Sequence, residues 1–307
     1  MQRSFLGYLV VTLKGIAMGA ADIVPGVSGG TIAFISGIYE ELITSINNIN
    51  LSLLKTLQKE GIAAAWKQAN GNFLVALLAG IAISVISLSK GISWLLENQP
   101  ILLWSFFFGL VLASIYFVAK QITKWSVVIV LALLAFAAIA YYITSLPPLS
   151  NTDSTLFLFF AGSLAICAMI LPGISGAFIL VLLGAYKTIL DAVDNRDFKI
   201  IAVVGLGAIF GLLTFSRLLK WLFNHQRNLI LAILTGFILG SLNKIWPWKQ
   251  VLETTIIHNK EVILKEQNIL PMAYEGNPQL LWAIVLMCIG FFTIILLEKL
   301  ANTPNKE

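Results

Sequence analysis

Val24-Pro25-Gly26-Val27-Ser28-Gly29-Gly30 and Leu171-Pro172-Gly173-Ile174-Ser175-Gly176 decide how this chain is read. Proline removes a backbone N–H, and glycine relaxes the backbone, so each string breaks a helix. In a soluble protein such breaks are loops with polar flanks. Here the flanks are apolar runs, 4–24 and 27–46 around the first string and 154–171 and 174–190 around the second. Unpaired backbone groups in hydrocarbon cost several kcal/mol each. A break there is tolerated only when it is buried in protein or lines a wet cavity.

The remaining sequence explains the apolar flanks. Of 307 residues, 58% are hydrophobic and 11% charged, with a mean hydropathy of +0.89. A soluble domain is nearer ~45–50% apolar and ~25% charged. These values exclude a soluble enzyme, a nucleic-acid-binding domain and a disordered chain. Further apolar runs fall at 72–97, 101–119, 125–146, 199–223, 228–246 and 279–298. At ~20 residues per helical span, the chain has material for at most about nine spans. Cys167 and Cys288 lie in apolar runs and offer no disulfide framework. No zinc spacing, phosphate-binding loop or dinucleotide fingerprint occurs, so no metal or cofactor is expected. Lys14, Asp22 and Pro25 interrupt the first run, unlike a cleavable signal, which places its charge before an unbroken apolar core.

The two strings belong to an internal duplication. At an offset of 147, Gly15 matches Gly162, and the Pro-Gly-x-Ser-Gly strings coincide; over 25–43, seven of 19 residues are identical. After the connector 47–71 the offset becomes 127. There Gly80, Lys90, Trp94, Gln99 and Gly109 match Gly207, Arg217, Trp221, Gln226 and Gly236. The expected architecture is an all-α polytopic membrane domain of two repeats, 1–146 and 147–307. Each repeat is a broken-helix, re-entrant hairpin followed by three transmembrane helices. A hairpin that returns to its starting side gives each repeat an odd number of crossings. The second repeat is then inverted relative to the first.

Charge placement orients this arrangement. The N-terminus, 40–71, 120–124, 217–227 and the C-terminus share one side and hold eleven Lys/Arg, against eight on the other. The richer side is expected to be cytoplasmic, with both termini. Trp246-Pro247-Trp248 reads as an interfacial anchor on the opposite side.

The breaks are the leading candidate for function. Ser28 and Ser175 are placed to cap the helices that follow. The glycines let a ligand approach exposed N–H groups, and helix N-termini favour phosphate or carboxylate. Kinks serving only helix packing would give the same strings singly; their duplication favours a site. Asp22 has Met169 as its counterpart. An intramembrane carboxylate either marks a proton or sodium pathway or caps the tip or pairs with Lys14 or Lys90. Lys14 is expected to snorkel toward headgroups. Lys90 and Arg217, each four residues before a Trp, are either capture residues for an anionic headgroup or an ordinary interfacial Lys/Arg–Trp belt. Glu40 and Glu41 read as a solvated helix end.

Gly19-Ala20-Ala21-Asp22-Ile23-Val24-Pro25-Gly26-Val27-Ser28-Gly29-Gly30-Thr31 and its echo at 171–176 resemble the polyprenyl-phosphate transporter family of bacterial membranes. The resemblance covers essentially the whole chain. It implies a flippase in the cytoplasmic membrane that returns undecaprenyl phosphate from the outer to the inner leaflet, recycling the carrier for envelope polymers. Its implied partners are the polyprenyl-phosphate lipid and the bilayer. Carried onto this chain, the phosphate site comprises Pro25, Gly26, Ser28, Gly29, Gly30, Thr31, Pro172, Gly173, Ser175 and Gly176. The assignments of Lys90 and Arg217 to headgroup capture, and of Asp22 to ion coupling, come from the repeat and from residue chemistry. Two alternatives stay open: a small-anion channel or transporter, and an undecaprenyl-diphosphate phosphatase. The phosphatase family also has duplicated Pro-Gly-x-Ser breaks. There an Arg and a second Ser follow, whereas this chain has Gly29 and Gly30.

Overall fold

Proline forces the residue before it out of the helical region, and two helices end at this constraint. The computed structural model describes residues 3–24, 27–146, 154–257 and 260–301. Pro25 and Gly26, two of the sequence-derived site residues, lie outside them. Helix α1 (Phe5–Ile23) stops at Val24, extended at φ −86° and ψ 119°. Helix α9 (Thr155–Ile170) stops at Leu171, at φ −67° and ψ 129°.

Each chain then turns back in a seven-residue helix, α2 (Gly29–Ile35) or α10 (Gly176–Leu182). Both stop at a left-handed glycine, Gly37 (φ +74°) or Gly184 (φ +68°). The Gly37 N–H donates to Phe34 O and the Ile38 N–H to Ala33 O; Gly184 and Ala185 repeat the pattern onto Val181 O and Leu180 O. These paired bonds are the Schellman terminus that a glycine permits. Helices α3 (Tyr39–Asn47) and α11 (Tyr186–Asp194) follow directly. The bend between Gly176–Leu182 and Tyr186–Val193 is 109°. The runs 27–46 and 174–190, read as single arms, are therefore each two short helices, because glycine ends the first.

The connector 47–71 folds as α4 (Leu51–Glu60) and α5 (Ile62–Gln68), packed on each other. Next come α6 (Gly71–Asn98), α7 (Pro100–Ala119) and α8 (Val127–Ser145). Beyond α11 lie α12 (Phe198–His225), α13 (Arg227–Ser241) and α14 (Leu280–Ala301). Both α6 and α12 have 28 residues, and their terminal glutamines share one backbone conformation: Gln99 at −138°, 48° and Gln226 at −136°, 49°.

Among the described residues, five helices are long and apolar enough to cross a membrane: α1, α6, α7, α8 and α12. The bent α10–α11 pair makes a sixth if counted as one span. Helices α9 and α13 are apolar but shorter, and α14 is apolar over Leu280–Leu296. The membrane part is all-α and polytopic.

Four helix pairs carry most of the packing: α1 with α6, α9 with α12, α7 with α14, and α8 with α13. Each crossing is lined by glycines against partner backbone. Gly15 faces Leu77 O, Gly207 faces Phe159 O, Gly109 faces Met287 O, and Gly236 faces Leu133 O. In lipid, close approach of small residues replaces the hydrophobic drive as the source of helix association. The core joins both halves through Val27, Phe34, Phe107, Leu231 and Ile238. Outward side chains such as Val127, Leu131, Leu206 and Phe292 are exposed and apolar, as a lipid-facing ring requires.

Between α13 and α14 stands an antiparallel hairpin, β1 (Lys249–Ile257) and β2 (Lys260–Asn268), paired from Lys249↔Asn268 to Ile257↔Lys260. Its base corrects the reading of Trp246 and Trp248 as interfacial anchors. Trp248 is buried and donates to Pro278 O, while Trp246 donates to Ile269 O, each at 2.9 Å. Both indoles tie the hairpin to the helices.

Candidate functional site

The two breaks meet in the protein interior. The Ser28 hydroxyl lies 3.1 Å from both Met169 O and Leu171 O, and shares its one proton between them. In return the Gly173 N–H donates to Thr31 Oγ1 at 3.0 Å. Each tip therefore holds the other by backbone-to-hydroxyl bonds. Ser28 and Thr31 are each 1% exposed and Ser175 6%; Gly29, Gly30, Pro172, Gly173 and Gly176 are also buried.

The local order within each tip follows from capping. Ser28 Oγ accepts from the Gly30 N–H at 3.1 Å, and Ser175 Oγ from the Phe178 N–H at 3.5 Å. Glycine is required where backbone crowds backbone, between the tips at Gly30 and within the second hairpin at Gly176. A Cβ on Gly30 would stand 2.5 Å from Ile170 O, and one on Gly176 would stand 2.6 Å from Ala165 O. Gly173, at φ +92°, abuts the backbone of Ile238 on α13.

Asp22 takes the capping role. Its Oδ1 accepts from the Gly29 N–H at 2.7 Å, and a Cβ on Gly29 would run into the carboxylate. Among the described residues no ion pair involves Asp22. Lys14 does not snorkel: its Nζ donates to Ser36 O at 2.6 Å, at the far end of α2. The eight-residue spacing of Lys14 and Asp22 is ~12 Å along α1, close to the ~10 Å length of a seven-residue helix. The anion thus meets the N-terminal N–H groups of α2, and the cation meets its C-terminal carbonyls. Ala161 and Met169 hold the matching positions, so α10 lacks this pairing.

Lys90 and Arg217 are exposed on α6 and α12, and among the described residues neither bonds to the tips. Trp94 and Trp221 beside them are more than half exposed. Glu40 pairs with Arg227 at 2.8 Å and Glu41 with Arg3 at 2.6 Å, so both glutamates lock α3 to neighbouring segments. His225 stacks on Trp221. Among the described residues no cluster of His, Cys, Asp or Glu has the make-up to hold a metal ion.

Fold and tips define a class: an all-α multi-pass membrane protein whose interior holds two broken helices in mutual contact. Comparison with known proteins then gives the family. The undecaprenyl phosphate translocase-like family model matches residues 18–263, and the chain belongs to that family. It is 46% identical over 307 residues to a polyprenyl-phosphate transporter of Vibrio cholerae, covering 98% of this chain and 100% of the relative. It is 31% identical over 253 residues to a polyprenyl-phosphate transporter of Staphylococcus aureus, covering 76% of this chain and 85% of that one. No solved structure matches the chain.

Proposed function

We propose that this protein is a flippase that moves undecaprenyl phosphate from the outer to the inner leaflet of the bacterial cytoplasmic membrane. The observation that carries the reading is the reciprocal contact of the tips, Ser28 to Met169 and Leu171 and Thr31 to Gly173. In the reading, these bonds close the pathway. When they open, the Ser28 and Thr31 hydroxyls and the Gly173 N–H are released to the phosphate, beside Gly29, Gly30, Ser175 and Gly176 of the same tips. Pro25, Gly26 and Pro172 shape the breaks. The prenyl tail stays in lipid while the headgroup crosses.

The halves 1–146 and 147–307 act as inverted repeats in this proposal. Support comes from the paired Schellman termini and the matched backbones at Gln99 and Gln226. Ion pairs Arg3–Glu41 and Arg227–Glu40 gather the N-terminus, α3 and the α12–α13 turn on one face. That face is assigned to the cytoplasm, with both termini. Asp22 is the coupling group for a proton or sodium ion: release of its bond to Gly29 would accompany opening of the first tip. Lys90 and Arg217 are assigned to headgroup collection from the two leaflets, away from the tips.

The test is reconstitution in liposomes with undecaprenyl phosphate, following its leaflet exposure with an outer-acting enzyme. Protein-dependent movement of the monophosphate supports the proposal. Hydrolysis of the diphosphate form would transfer the reading to a phosphatase. Conductance of chloride or sulfate without lipid movement would transfer it to a small-anion pathway.

A further inference from the structure

Beneath the β-hairpin, two lysines converge on one carboxylate oxygen. Lys244 Nζ lies 2.7 Å and Lys249 Nζ 2.8 Å from Glu266 Oε1. The Lys249 side chain is only 9% exposed; it also donates to Lys244 O at 2.6 Å and sits 4.6 Å from the centre of the Trp104 ring. Burial drives its ammonium down to about 8, against the pull of Glu266. Lys244 Nζ lies 5.1 Å from the Phe178 ring. Phe178 is the residue of α10 whose N–H is capped by Ser175, so the cluster adjoins the second tip. Six residues before Lys244, Ile238 packs on Gly173.

Other bonds hold the base of the hairpin beside this cluster. Asn268 bonds to Asn243 at 2.8 Å, and Trp246 and Trp248 supply two more ties. Buried ion pairs add little net stability, and desolvated charged clusters gather at functional sites. The charge also fits one class of ligand. With Glu266 in place, the trio is net +1. If Glu266 withdraws, the two ammonium groups match a dianion. A phosphomonoester carries about −1.5 to −2 at neutral pH, whereas a phosphodiester lipid carries one charge and gains nothing over the carboxylate.

We propose that Lys244 and Lys249 form a capture site for a phosphomonoester lipid headgroup on the face opposite the termini, with Glu266 as the resident anion that the phosphate displaces. This rests on the reading of the protein as a polyprenyl-phosphate flippase. The site stands at the mouth of the second tip and takes the headgroup before α10 moves.

The test measures binding separately from translocation. The full chain in nanodiscs is titrated with undecaprenyl phosphate, and the ligand-induced rise in melting temperature gives the affinity. Lys249→Gln and Lys244→Gln are expected to weaken binding about tenfold each, since each removes a charge-assisted hydrogen bond. Glu266→Gln is expected to tighten it several-fold, because the competing anion is gone. A purely structural clamp predicts the same direction for all three. Weaker binding in Glu266→Gln with a lowered ligand-free melting temperature therefore overturns the site. Inorganic phosphate that binds as tightly as the lipid overturns the lipid assignment. Wild-type protein that binds with these signs but moves no lipid leaves the capture site standing and defeats the flippase reading instead.

Discussion

A carboxylate on a single backbone N–H is the smallest working unit here. Asp22 accepts from Gly29, and Asn keeps that acceptor while removing the charge. Asp22→Asn should fold with a melting temperature close to wild type. Asp22→Ala should lose about 1–3 kcal/mol, the cost of leaving a buried donor unpaired. Under the coupling proposal, Asp22→Asn should also transport at a rate indifferent to an imposed proton or sodium gradient. Flipping assays with and without the gradient check this, and an unchanged gradient response would remove Asp22 from coupling. At Gly30 the constraint is steric. Gly30→Ala places a methyl 2.5 Å from Ile170 O and should lower stability by about 1–3 kcal/mol. The readout is thermal denaturation of the purified protein, with translocation measured alongside. Ser28→Arg and Gly176→Leu should abolish translocation while the protein still inserts; wild-type rates in either would sink the tip site.

At the scale of elements, the return helices owe their length to Gly37 and Gly184. A Cβ on Gly37 meets nothing within 4 Å, so Gly37→Ala isolates the left-handed penalty of about 1–2 kcal/mol. A loss of that size in the melt, with secondary structure unchanged, is the expected result. The β-hairpin carries a pH signature of its own. Burial raises the Glu266 carboxyl, but Lys249 and Lys244 outweigh it and hold the group below the ordinary carboxylate range. A depressed carboxylate stabilises the fold above its ordinary value, and that contribution disappears as pH falls through the folded value. Lys249 is also lowered, chiefly by burial, and acts in the same direction at alkaline pH. From pH about 8 up to its ordinary 10.5, the unfolded chain binds more protons than the folded one, so this residue makes stability rise with pH. Relative to Lys249→Met, the wild-type melting temperature should therefore climb across that alkaline window.

For the whole molecule, the prediction concerns sidedness. With Cys167 and Cys288 replaced by Ala, single cysteines at Lys59 on α4 and at Asn277 before α14 should label from opposite faces of intact cells. Under the proposed orientation, Asn277→Cys reacts with an impermeant thiol reagent and Lys59→Cys does not. Labelling of both from outside would remove the odd-crossing repeat and the inverted reading with it. The packing gives the same arrangement a mechanical basis. The α7–α14 and α8–α13 pairs each join one half of the chain to the other. Glycine-lined crossings hold the two halves against each other there.

Much of this was legible in the sequence, because lipid imposes strong rules. Apolar runs marked the long helices, though not the splits at Gly37 and Gly184 or the two helices of the connector, and pre-proline sterics marked where α1 and α9 end. The duplicated Pro-Gly-x-Ser-Gly strings located the interior breaks and the family. Other features depend on which backbone atoms converge, and periodicity carries no information about that. In sequence Asp22 stays open between an ion pathway, a cap of the tip and a charge pair, and Lys14 reads as snorkelling; the fold of α2 between them gives Asp22 the Gly29 N–H and Lys14 the Ser36 carbonyl. Gly37 and Gly184 hid their role because a glycine inside an apolar run has no signature separating a packing contact from a helix stop. The lysines at 244 and 249 entered the sequence reading only as counted charges. A β-hairpin that returns seventeen residues later, from Lys249 to Glu266, turns them into a cluster. Sequence alone determined that this chain is a membrane protein with two buried breaks, since hydrocarbon penalises every unpaired backbone group. Only the tertiary structure decided that the breaks hold each other, because that depends on Å-scale approach of two segments about 140 residues apart.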